Sequence, residues 1–297
     1  MRYALGTVQF GMDYGVQGAR KPSPEAVFRI LDRAVGSGIN TLDTAAAYGD
    51  AEAVIGEYLD RNSSRKREIK IISKLAAGLL NGKPKDQWSG IAVESAGQSL
   101  ERLGISRLEA FLFHDASHLF DPSAVKALRT VVDEGLAEKI GVSVYTPQEA
   151  MKALEYEEIK VVQIPYNVFD RRLDRCGFFT QAESRGVEVY ARSTLLQGLA
   201  LMDPDEGLPE KLGFAEKYIR KFRGICREYH VPPLEAAVCY AGGHAGIRCV
   251  VFGVDNEKQL EEYISMMSGT LPEGMESRLA EAFDAVEEKL VNPVLWG

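Results

Sequence analysis

Eight short β-rich runs recur along the chain, each followed by a helix-like stretch, and this alternation constrains the fold more than any other property of the sequence. The runs cover residues 3–7, 40–44, 69–74, 108–114, 139–143, 161–164, 187–192 and 248–253. Between them, segments such as 24–36, 51–59, 91–103, 122–134 and 256–266 repeat apolar residues at helical spacing. The first five runs end at Thr7, Asp43, Lys74, His114 and Ser143. These ends lie about 35 residues apart, the length of one strand-helix unit, and right-handed crossovers let such a series of strands close on itself. The sequence therefore predicts a single (β/α)8 TIM barrel over residues 1–297. Gly104, directly after the segment 91–103, marks a helix end. The period stretches once, between Arg192 and Arg248, where a polar loop (199–211) precedes two helical runs (214–229 and 233–241). An extended loop and an extra helix after strand seven are expected there, placed to clasp a ligand. A C-terminal helix over 273–289 is expected to end the fold, with Trp296 packed on the outer helices rather than closing a pocket.

Charge narrows the partners. With 35 Lys and Arg against 43 Asp and Glu, the net charge is -8, which gives no broad cationic field for nucleic acid or an anionic membrane. No run of 18 apolar residues and no export-signal pattern is present, so a cytoplasmic protein is expected. Cys176, Cys226, Cys239 and Cys249 form no close pair and read as reduced thiols. His114, Asp115 and His118 lack further ligands at neighbouring strand ends, so no metal is expected.

Barrels of this type carry their chemistry at the carboxyl ends of the strands. Polar residues close the apolar runs there: Asp43 after Ile39-Asn40-Thr41-Leu42, Lys74 after Ile71-Ile72-Ser73, His114 after Phe111-Leu112-Phe113, with Tyr48 just beyond the second strand. In this respect the chain resembles the aldo-keto reductase family, whose Asp, Tyr, Lys and His tetrad falls on Asp43, Tyr48, Lys74 and His114, the Asp-to-Tyr spacing included. Further matches are Gly6-Thr7 at the first strand, Gly141-Val142-Ser143 at the fifth, Gln163-Ile164-Pro165-Tyr166-Asn167 at the sixth, Arg192-Ser193 with Leu195-Leu196-Gln197-Gly198-Leu199 at the seventh, and Gly253 at the eighth.

The resemblance implies reduction of an aldehyde or ketone by NADP(H) or NAD(H). A phenol is a feeble acid at pH 7, and a neighbouring ammonium favours its ionised form. Tyr48 is thus the expected general acid, Lys74 and Asp43 its tuners, and His114 the group that orients the carbonyl. The family pose places the nicotinamide amide at Ser143 and Gln163 and its ring over a strand-seven aromatic, for which Tyr190 is the nearest candidate. The pyrophosphate then runs towards Ser193 and Leu195, with Gly198 allowing close backbone approach.

Some positions depart from the family. Val144 stands where an Asn commonly follows the strand-five Ser, and Tyr263 where an Asn commonly faces the adenine. Gly253, Val254, Asp255, Asn256 and Gln259 occupy the region around the adenosine ribose without the usual basic residues. Val254 and Gln259 are expected to face the ribose, and Asn256 with Gln259 also reads as a capping box. Arg171 and Arg172, after strand six, are solvated arginines or a partner for an anionic substrate. The opening 5–15 is similar to a bacterial branch associated with surface-polysaccharide sugar synthesis, which implies a small, sugar-derived carbonyl substrate. The alternative reading is a nucleotide-binding regulatory module on the same fold with little turnover.

Overall fold

The computed structural model describes residues 2–16 and 18–296; Met1, Gln17 and Gly297, two of them the ends of the predicted span, lie outside that description. Eight parallel strands, β1 (Arg2–Gly6), β2 (Thr41–Asp43), β3 (Lys70–Leu75), β4 (Leu108–Phe113), β5 (Ala137–Ser143), β6 (Ile159–Pro165), β7 (Glu188–Arg192) and β8 (Cys249–Gly253), pair in chain order, and β8 returns to β1 to close the barrel. The helices are α1 (Val8–Gly11), α2 (Pro24–Gly36), α3 (Ala51–Arg61), α4 (Trp88–Leu103), α5 (Pro122–Asp133), α6 (Pro147–Ala153), α7 (Phe178–Ser184), α8 (Glu216–Glu228), α9 (Pro233–Gly243), α10 (Glu257–Met266), α11 (Met275–Ala282) and α12 (Glu288–Val291).

Local chemistry explains where these helices begin and end. Ser23 accepts from Ala26 N at the head of α2, with Pro24 in its first turn, and Val27, Ile30, Leu31 and Ala34 put one apolar stripe against the strands. Thr146 and Glu149 form a reciprocal capping box on α6. Gly104 adopts φ 62° and stops α4, as the sequence predicts. The long connection after β7 holds α8 and α9, also as predicted.

The predicted last helix is broken. Gly274 caps α11, which stops at Ala282, and residues 283–287 separate it from α12. Phe283, buried against Phe169 at 4.8 Å between ring centroids, marks the break, so tertiary packing overrides the local helical pattern. Trp296 is buried in the core between helices and donates from Nε1 to Lys289 O at 2.7 Å. It packs on the outer layer, as expected.

Period-two alternation sorts the strand residues into two sets. Leu5, Leu42, Ile71, Phe111, Ile140, Val162, Val189 and Phe252 belong to the large core between strands and helices. Ala4, Ile72, Ala110, Leu112, Val161, Tyr190, Cys249 and Val251 form a separate cluster, the apolar filling of the barrel itself. Continuing the inward set one step towards the carboxyl ends leads to Gly6, Asp43, Lys74, His114, Ser143, Gln163, Arg192 and Gly253. On β3, β4, β6 and β7 this step passes from the apolar filling to a polar side chain: Ile72 to Lys74, Leu112 to His114, Val161 to Gln163 and Tyr190 to Arg192.

Candidate active site

Backbone hydrogen bonds carry the ladder past the strand ends and fix this upper level. Thr7 N donates to Asp43 O, Thr44 N to Ile72 O, His114 N to Leu75 O and Val144 N to Gln163 O, at 2.9 to 3.2 Å. Lys74 is 1% exposed, and its ammonium donates to both carboxylate oxygens of Asp43 at 2.9 Å and to Thr44 O at 2.8 Å. All three ammonium protons thus have acceptors near at hand. The same nitrogen lies 5.1 Å from the centre of the Tyr48 ring, and the His114 ring meets Tyr48 edge-on at 5.7 Å. The four residues expected to act together are therefore gathered at one point.

Tyr48 is held there by its backbone. The β2–α3 loop turns through a Tyr48 N to Ala45 O bond at 3.0 Å and delivers Tyr48 O to Ala51 N at 3.1 Å. Against this turn lies Gly11, where a Cβ would stand 1.7 Å from Tyr48 O, and Gly49, at φ 56°, where a Cβ would stand 2.2 Å from Gly11 O. Only glycine fits at either place. Sequence reading does not single out this pair, because the contact joins the end of α1 to the β2–α3 loop, which are distant in the chain.

Electrostatics differ from expectation in one respect. Burial raises the Tyr48 phenol above its ordinary value, and the Lys74 ammonium opposes this without reversing it. The expected net lowering is not found. His114 is pushed down to about 4, by burial first and then by Lys74, so it is neutral at pH 7. Its Nδ1 is buried without a partner.

The other expected site residues divide into groups. Ser143 and Gln163 are buried at the mouth beside the tetrad. Gln163 donates from Nε2 to Asp43 Oδ1, which fixes the amide orientation and leaves Oε1 buried with no partner. Thr7 is buried, its hydroxyl donating to Asp43 O at 3.1 Å, and so braces the second strand. Arg192 reaches over the mouth, donating from Nε to Ser143 Oγ at 3.1 Å, from Nη1 to Ser193 Oγ at 3.2 Å and from Nη2 to Val144 O at 2.7 Å. Its guanidinium lies 4.3 Å from the centre of the Tyr145 ring. Ser193, Leu196 and Gln197 all have positive φ (60°, 47° and 57°), as does Gly198 (93°), so the segment carrying Ser193, Leu195 and Gly198 is backbone of high local energy.

Tyr190 is not brought to the mouth: its ring belongs to the apolar filling below, one inward step before Arg192. Val254 is buried in the outer core and does not face an open surface, and Tyr263 stacks on Phe252 at 4.3 Å. Gly253 is covered by Gln9, whose amide a Cβ would meet at 2.4 Å and whose Oε1 is buried and unpartnered; the sequence reading passed over Gln9. Asn256 Oδ1 caps Gln259 N at 3.0 Å, but Gln259 Oε1 accepts from Asp255 N at 2.7 Å instead of from Asn256, and Gln259 Nε2 donates to Asp255 Oδ2 at 3.2 Å. Arg172 pairs with Asp170 at 2.8 Å and Arg171 donates to Ala280 O at 2.7 Å, so both are engaged within the protein. Among the described residues no group of three or more His, Cys, Asp or Glu side chains could hold a metal, and no helix is long and apolar enough to cross a membrane.

Known proteins agree with this architecture. The profile of the Aldo/keto reductase family matches residues 3–283. A D-threo-aldose 1-dehydrogenase from a Pseudomonas species is 25% identical over 301 residues, covering 89% of each chain. An L-glyceraldehyde 3-phosphate reductase from Escherichia coli O157:H7 is 30% identical over 201 residues, covering 61% of this chain and 56% of its own. The holo form of an aldo-keto reductase from Bacillus halodurans superposes with a TM-score of 0.77 at 22% identity, over 98% of this chain and 95% of that one. The barrel, the match along nearly its whole length and the reductases and dehydrogenases among its relatives identify this chain as a member of the aldo-keto reductase family and an oxidoreductase.

Proposed function

We propose that the chain reduces a small aldehyde or ketone to an alcohol with a nicotinamide cofactor, Tyr48 giving its phenolic proton to the substrate oxygen. The observation that carries this reading is the clamp on Lys74: two bonds to Asp43 and one to Thr44 O hold a buried ammonium against the Tyr48 ring. A fixed cation there stabilises the phenolate left after proton transfer, which offsets the effect of burial. His114, neutral at pH 7, offers an N–H to the carbonyl oxygen and holds it within reach of the phenol.

The mouth fits the cofactor that the family implies. Gln163 Oε1 is a buried acceptor without a donor, and the carboxamide of a nicotinamide brings an N–H of the kind it lacks. Ser143, in register with Gln163 on the neighbouring strand, accepts from Arg192 Nε at Oγ and keeps its hydroxyl proton to offer to the amide oxygen. The glycine-containing, left-handed segment 193–198 supports a role in approaching the pyrophosphate closely, and Asn256 and Gln259 lie at the head of α10 towards the adenosine end. When bound, the cofactor supplies the hydride. Both nucleotides are proposed as cofactors, since the family pose would bring the 2'-phosphate towards the carboxylate of Asp255, and Lys258, 88% exposed, is directed to Glu262 at 4.0 Å.

For the substrate, the names of the relatives favour sugar-derived carbonyls, since one is an aldose dehydrogenase and another a reductase of a phosphorylated three-carbon aldehyde. Exposed Met12, Leu79, Phe120 and Tyr145, on loops beyond β1, β3, β4 and β5, make apolar aldehydes the second class to screen. Tyr48→Phe tests the mechanism. We expect kcat to fall at least about a hundredfold with cofactor affinity nearly unchanged; full activity in that variant removes Tyr48 as the acid.

A further inference from the structure

The charges at the mouth do not balance. Asp43 and Lys74 cancel as a buried pair, while His114 and Tyr48 are neutral at pH 7. Arg192 is left over on the strands; the unpaired carboxylate nearest to them, Asp115, stands on the loop after β4, accepts from Ser117 N at 2.9 Å, and acts on His114 more weakly than Arg192 does. Its three acceptors, Ser143 Oγ, Ser193 Oγ and Val144 O, are all neutral, and no carboxylate among the described residues forms an ion pair with it. Other arginines near this end of the barrel are matched: Arg172 to Asp170, Arg175 to Asp284 and Arg223 to Asp203. A guanidinium cannot shed its proton at any working pH, and here three hydrogen bonds and the Tyr145 ring prevent it from swinging out into solvent. Its field reaches both Tyr48 and His114. On the adjacent strand stands Gln163 with its unsatisfied Oε1, so the fixed positive charge and the orphan acceptor share one end of the barrel.

Resting on the reading that this mouth takes a nicotinamide, we propose that Arg192 selects the oxidation state of that ring. The oxidised ring carries a positive charge and is repelled by the fixed guanidinium. The reduced ring is neutral and meets no such opposition. The mouth is thereby biased to load reduced cofactor and to release the oxidised product, which suits a reductase. Lys74 adds less to this bias, because the Asp43 carboxylate at 2.9 Å opposes its field at this mouth, as it does at Tyr48 and His114, whereas no ion-pair partner opposes Arg192.

The test is equilibrium binding of NADH, NAD+, NADPH and NADP+ to the full chain by titration calorimetry, in the wild type, Arg192→Gln and Arg192→Lys. In the wild type each reduced form is expected to bind at least about tenfold more tightly than its oxidised partner, and Arg192→Gln is expected to shrink that ratio by about tenfold, or about 1.4 kcal/mol. Arg192→Lys keeps the charge and should keep most of the ratio. Equal wild-type affinities for the two oxidation states overturn the proposal even if the Gln variant does not fold. An unchanged ratio in Arg192→Gln overturns it as well, and so does a ratio in Arg192→Lys as small as in Arg192→Gln, which would assign the effect to the shape of the guanidinium. Failure of the wild type to bind any of the four nucleotides is a different result, and it removes the reading of the site as well as this inference.

Discussion

The two ends of the barrel are built from similar residue types and treat them in opposite ways. At the amino ends of the strands, Lys139 bonds Glu109 at 2.9 Å and Glu188 at 3.2 Å, and Lys70 bonds Glu109 at 3.0 Å. Two cations meet two carboxylates, and the bonds from Lys139 and Lys70 outweigh the upward push of burial and hold the Glu109 carboxyl below its ordinary range. At the carboxyl ends, past the apolar filling, lie an unmatched guanidinium and the orphan atoms Gln163 Oε1, Gln9 Oε1 and His114 Nδ1. A polar end that satisfies itself contributes to stability, whereas one left incomplete is shaped for something that arrives later.

Substitutions should separate the two ends. Tyr48→Phe, the largest expected effect on turnover, acts at the incomplete end and should lower the urea midpoint only slightly, because the half-buried hydroxyl gives up one hydrogen bond from Lys74, whose ammonium keeps Asp43 and Thr44 O as acceptors. Lys74→Met should blur the contrast by lowering both turnover and stability. Breaking a buried ion pair by removing one partner costs about 3 to 5 kcal/mol, since Asp43 stays behind. Its pH profile carries a sign: the ammonium lowers the phenol from its burial-raised value, so removing it raises that value further and moves the alkaline limb of kcat to higher pH. A profile identical to the wild type would exclude Lys74 as the tuner.

A smaller effect is expected in cofactor choice. Charge-assisted bonds to a phosphate contribute about 1.5 to 3 kcal/mol each, so the absence of an identified basic partner should keep the preference for NADPH over NADH below about a hundredfold. Titrating both by quenching of protein fluorescence checks this, and a ratio beyond about a thousandfold would require a cation reaching the 2'-phosphate. Smallest is the change at the satisfied end. Lys139→Met should cost about 1 kcal/mol in urea unfolding, its pair being partly solvated, and should leave kcat as it was. Lost activity in that variant at unchanged stability would break the division of labour between the ends.

Much of this was legible in the sequence because it is local. Strand spacing, the Gly104 stop and the ordered polar residues at strand ends need only neighbours in the chain, and Asp43, Tyr48, Lys74 and His114 do converge. The misplaced residues depend on distant ones. Tyr190 and Arg192 point inward alike, and only the pairing of β7 with β6 and β8 decides that Tyr190 sits in the apolar layer while Arg192 emerges at the mouth. Val254 is buried because the outer core closes over the end of β8, and the last helix breaks where Phe283 is drawn against Phe169. The net shift of Tyr48 follows from how much protein surrounds the phenol, and the spacing to Lys74 says nothing of that.

The contact between Gly11 and Gly49 has a consequence for engineering the entrance. A graft that changes either loop while adding even a methyl group at one of these two positions pushes against main chain rather than a yielding side chain, and the displaced main chain is the one that carries Tyr48. The two loops are therefore one module for recombination. The segment beyond residue 12 can be exchanged to alter what enters, while the crossing itself, Gly11 with residues 48–51 at the head of the buried helix α3, has to be transplanted whole.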